Sequence, residues 1–63
     1  MLVTCKGRVL SCEGENCTVV ADYANDIVWV MVDDVCVEMT VERLEELLCV
    51  MATHKHYAEA LSR

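Results

Sequence analysis

No proline interrupts this chain, no phenylalanine fills it, and only three aromatic side chains are present, Tyr23, Trp29 and Tyr57. Without proline, every β-rich run keeps its full set of backbone donors and is free to pair on both edges. Long apolar runs are missing as well: none reaches the ~18 to 20 residues that span a bilayer. The opening "MLVTCKGRVL" lacks the charged-then-apolar order of a signal peptide. The chain is therefore read as cytoplasmic, with no membrane partner.

Positive charge is scarce. Five Lys and Arg stand against eleven Asp and Glu, for a net charge of −6. That balance disfavours non-specific attraction to nucleic acid or anionic lipid and leaves protein surfaces, basic ones above all, as the expected partners. Catalytic signatures are missing too: there is no GxGxxG, Walker loop, HExxH or GxSxG. A chain of 63 residues also leaves little room for a pocket of the usual size. No catalytic residue, cofactor or metal ligand is nominated, and the protein is read as non-enzymatic.

Cysteine is what the chain has in excess. Cys5, Cys12, Cys17, Cys36 and Cys49 make an odd set without a secretion signal, so reduced thiols that fill space as small hydrophobes are expected. A zinc reading can be assembled from Cys12 and Cys17, from Cys5 with Cys36 if those two lie on adjoining strands, and from His54 and His56. It is weak, because structural zinc sites use two close ligand pairs. His54 and His56 also point about 200° apart on a helix. A redox role would need a CxxC motif or a thiol at a helix N-terminus, and Cys49 lies in mid-helix.

Hydrophobic periodicity sets the architecture. Residues 2–11, "LVTCKGRVLS", read as a first strand with Val3, Cys5 and Val9 on one face and Lys6 and Arg8 on the other. "CEGEN" is a turn into a second strand over 17–23. Asn25 and Asp26, then Asp33 and Asp34, separate further strands over 27–32 and 35–39. From residue 41 the period becomes helical through 62, with Thr40 as N-cap and Glu42, Glu45 and Glu46 at the positive end of the helix dipole. The predicted fold class is α+β: one domain, an antiparallel meander sheet of about four strands, and one long C-terminal helix packed on one face.

Two apolar lines run along that helix. Val41, Leu44, Leu48 and Met51 are expected to face the sheet. Leu47, Val50, His54, Tyr57 and Leu61 form a second, heptad-like seam and are the candidate self-association residues. A helix of ~22 residues is about 33 Å long and overhangs strands of ~17 to 20 Å. Either it bends back near Ala52 and Thr53, or another subunit covers its distal half. The strand over 27–32 is apolar on both faces, Ile27, Trp29 and Met31 on one and Val28, Val30 and Val32 on the other, which also calls for a second covering layer. A homodimer is expected. For His54 itself, a solvated or backbone-bonded histidine is weighed ahead of a register-setting one. Trp29 and Tyr57 are the candidate binding anchors, with Trp29 weighed more heavily as the centre of the core.

The function expected from these features is that of a small acidic regulator or inhibitor that binds a basic protein target. Such a chain is compatible with a phage or mobile-element origin and with a host defence or transcription protein as target. Two competitors are a small zinc or thiol protein and a dimeric nucleic-acid-binding transcriptional regulator. The first requires Cys5, Cys12, Cys17 and Cys36 to converge, and the second requires Lys6 and Arg8 to line up in a basic stripe.

Overall fold

In the computed structural model, which describes residues 1–63, the chain runs as β1 (Leu2–Lys6), β2 (Val9–Glu13), β3 (Cys17–Asp22), β4 (Ile27–Val32), β5 (Val35–Met39) and α1 (Val41–Leu61). The five strands pair antiparallel in the order β1-β2-β3-β4-β5. This meander follows from short polar breaks, which leave each strand nowhere to go but beside the one before it. The α+β class and the helix on one face agree with the sequence pattern.

The expected first strand over residues 2–11 is in fact a hairpin. Lys6 pairs with Val9 across the two-residue turn Gly7–Arg8, and Gly7 takes φ +62°, a conformation open to glycine because it has no Cβ to clash. The turn has two consequences for the side chains. Val9 shares the face of Lys6 rather than that of Val3 and Cys5, and Arg8 sits at the turn rather than on a strand face.

Acids build the other turns. Asp33, at φ 52°, opens the two-residue turn between Val32 and Val35. Asp22 closes β3 by accepting from the backbone N–H groups of Ala24 at 3.1 Å and Asn25 at 3.2 Å, and from Asn25 Nδ2 at 2.8 Å. Those donors, the Asn25 side chain first, hold the Asp22 carboxyl below its ordinary range. A depressed folded-state pKa gives stability that is present above the unfolded value and lost as pH falls through the folded one. The turn is thus expected to loosen only below about pH 4. In Asn25→Ala, acid titration followed by NMR should return the Asp22 carboxyl toward its ordinary range; an unmoved titration would mean that Asn25 is not the cause.

Asp26, the last residue of the same turn, ties the helix down. Its Oδ1 accepts from the Val41 N–H at 3.0 Å, while Thr40 Oγ1 accepts from the Arg43 N–H at 3.2 Å. Two of the unpaired donors at the helix start are satisfied this way, one from the N-cap and one from a residue in a distant turn. Asp26 also has φ 55°, which Asp and Asn tolerate better than other side chains. Asp26→Ala is expected to cost about 1 kcal/mol in a urea titration, and Asp26→Asn clearly less. Equal losses in the two variants would remove the hydrogen bond from the explanation.

Three side chains make the core: Val28 at 0% exposure, Ala21 at 2% and Leu44 at 8%. Val19, Val30, Met39 and Val41 pack around them. Trp29 is therefore not the core centre. It stands on the opposite face of β4 and is half-buried there. Alternation along β4 puts Val28 and Trp29 on different sides, and the helix takes the Val28 side.

The helix is continuous over Val41–Leu61, with Thr53 Oγ1 donating to the Cys49 carbonyl at 3.0 Å inside it, so it does not bend back at Ala52 and Thr53. It is ~32 Å long at 1.5 Å per residue, whereas the five strands span only ~19 Å across the sheet. The radius of gyration, 13.5 Å, accordingly exceeds the ~10.6 Å of a compact chain of this length.

Candidate functional site

Strand register sorts the side chains into two faces of different chemistry. On the helix side, one row across the sheet reads Cys5, Leu10, Ala21, Val28, Met39, and the next reads Val3, Cys12, Val19, Val30, Val37. A third, shorter row reads Cys17, Val32, Val35. No charged or hydroxyl-bearing residue is among them. On the far side the rows read Lys6, Val9, Asp22, Ile27, then Thr4, Ser11, Val20, Trp29, Glu38, then Leu2, Glu13, Thr18, Met31, Cys36. There polar and apolar residues are mixed, with Val20, Ile27, Trp29 and Met31 clustered on β3 and β4.

The helix covers little of its own face. Leu44 is pressed onto Ala21 and Val28, but Leu48, one turn further on, is 55% exposed. Between them and the sheet lies an apolar groove of about 280 Å³ lined by Leu10, Cys12, Val19, Ala21 and Tyr23. Val32, Val35 and Val37 are open to solvent on the same face. Open valines and exposed helix leucine on one wholly apolar face are the kind of uncovered surface that marks an interaction site.

Of the expected sheet-facing stripe, Val41 and Leu44 reach the sheet, whereas Leu48 and Met51 are mostly exposed. Of the expected seam, Leu47 is half-buried and Val50, His54, Tyr57 and Leu61 are exposed, Leu61 at 87%. Leu47 and Val50 lie on a stretch whose Leu44 and Leu48 still line the sheet; only from His54, ~20 Å along, has the helix run past the ~19 Å width of the strands. Tyr57 meets His56 edge to face at 5.4 Å between ring centres. His54 points to solvent beyond the sheet.

The thiols do not converge. Cys5 on β1 and Cys36 on β5 are at opposite edges of the sheet rather than on adjoining strands, and they point to opposite faces. Cys5, Cys12 and Cys17 share the helix-side face on successive strands, and Cys49 is out on the helix. No group of three or more His, Cys, Asp and Glu side chains is placed to hold a metal, and no helix is long and apolar enough to cross a membrane.

Electrostatically, the end of the sheet bearing the β2–β3 and β4–β5 turns is acidic. Glu15, Asp33 and Asp34 rim an open depression there of about 660 Å³, and the Asp33 N–H donating to the Asn16 carbonyl at 3.1 Å ties the two turns together. The sequence reading singled out Ile27, Trp29 and Met31 but missed the open valines of β5. The signal was present, since Val35, Val37 and Met39 repeat at period two in "VCVEM". Comparison of the chain with protein-family models, with curated proteins and with solved structures gave no match.

Proposed function

We propose that the protein is a non-enzymatic regulator or inhibitor that docks a basic protein surface on the Trp29 face of its sheet. One observation carries this reading: Val20, Ile27, Trp29 and Met31 form an apolar centre that no other element covers. Ser11, Glu13, Thr18, Asp22 and Glu38 border it on most sides, and Cys36 continues it onto β5. An aromatic anchor inside a polar rim is the anatomy of a reversible protein interface. Lys6 is the only base on that face, against three acids, and the chain carries a net charge of −6. A partner of opposite sign would be steered toward it. Host defence and transcription proteins, which present basic surfaces to nucleic acid, are targets that fit this chemistry.

Trp29 is the single tryptophan, so its emission reports on this face directly. Proteins captured on the immobilised chain would be purified and titrated against it. Trp29→Ala is expected to weaken the true target by about 100-fold, as for an interface hot spot. Glu38→Lys is expected to weaken it about 10-fold, with added salt weakening the wild-type complex. Thr4→Ala, in the same row but on the edge strand, should leave the affinity unchanged. A target bound equally well by Trp29→Ala of intact fold would sink the reading.

A further inference from the structure

The opposite, helix-side face has no polar rim and asks for a permanent cover. We propose that this cover is a second copy of the chain. The two copies are related by a two-fold axis with their helices antiparallel, so that the overhanging half of each α1 lies on the open valines of the other's sheet. The inference stands apart from the Trp29 reading, since it uses the other side of the sheet and leaves Trp29 free.

Area is the first argument. The chain exposes 5287 Å², whereas a compact monomer of 7.1 kDa exposes ~4,100 Å². The excess of ~1,200 Å² per chain, taken over two chains, gives ~2,400 Å², within the range of obligate homodimers.

Length is the second. At 1.5 Å per residue, α1 has risen ~15 Å by Met51, most of the ~19 Å that separates β5 from β1. The half beyond Met51 is thus of a length to lie across the partner's sheet beside that partner's own first turns. The exposed Tyr57 and Leu61 of that half, with Val50 just before it, match the chemistry of the open Val32, Val35 and Val37.

Charge is the third. Glu42, Glu45 and Glu46 occupy the first half of the helix, where Arg43 is already paired with Glu46 at 3.1 Å. Beyond Met51 the charges are nearly balanced, Lys55 and, just past the helix, Arg63 against the single acid Glu59. Antiparallel helices keep the two acidic first halves apart, whereas a parallel pair would set them side by side and repel. A two-fold contact is also self-complementary, so each copy both gives and receives a helix.

The test is an isotope-filtered NMR experiment on an equal mixture of ¹³C-methyl-labelled and unlabelled protein, kept reduced. The expected result is a set of intermolecular contacts from the methyls of Val50 and Leu61 to those of Val32, Val35 or Val37, with none to Trp29. A single-chain mass with no filtered contacts, or contacts that run through Trp29, would overturn the proposal. A dimer through Trp29 would also defeat the target-docking reading, whereas a plain monomer would leave it standing.

Discussion

Leu44→Ala is expected to destabilise the protein by roughly 2 to 5 kcal/mol, the cost of truncating a buried leucine whose site cannot collapse around the loss. The site has little else to rely on. Leu44 is the one buried side chain of the helix, and its partners Ala21 and Val28 are small and held in paired strands. A chain of this length has a total stability of only ~3 to 9 kcal/mol, so the change removes a large part of it. The midpoint of urea unfolding, followed by circular dichroism, reads the effect. Leu2→Ala, at a corner of the sheet where the side chain is 60% exposed, is expected to shift stability by less than ~0.5 kcal/mol. Comparable losses in the two variants would mean that the helix is not anchored through Leu44.

The second large effect is on association. Val50→Glu with Leu61→Glu is expected to give a soluble monomer of lower stability, with the dimer dissociation constant raised at least about 100-fold. Each glutamate would have to be taken out of water against apolar side chains with no base placed to meet it, at a cost of several kcal/mol per charge. In an isolated chain both positions are solvent-exposed, Val50 at 57%, and such substitutions would be close to neutral there. The pair therefore separates an interface role from a folding role. Sedimentation equilibrium over a range of concentrations measures it, and an unchanged mass in the double variant would take the distal helix out of the interface.

These two results bear on different parts of what the sequence made legible. The strands over 27–32 and 35–39 and the helix start at Thr40 lie where local signals place them, because paired acids and a threonine cap mark turns and helix starts by their own hydrogen bonds. The hairpin at Gly7 was hidden for the opposite reason: a single glycine between Lys6 and Arg8 leaves the alternation of the flanking residues looking unbroken. The choice of face was not legible either. With Ile27, Trp29 and Met31 on one side of β4 and Val28, Val30 and Val32 on the other, the pattern is degenerate. The side the helix takes is set by the one-residue link at Thr40 and by Asp26 reaching Val41. Helix length, by contrast, was readable from period alone, and with it the overhang that leaves Tyr57 and Leu61 uncovered.

The overhang and the bare valine rows make one claim together, that the chain does not complete its own core. Native mass spectrometry of the untagged, reduced protein at micromolar concentration tests it most directly. The account predicts twice the chain mass, falling to the single-chain mass in the Val50→Glu, Leu61→Glu variant. A wild-type protein that remains at the single-chain mass would contradict it.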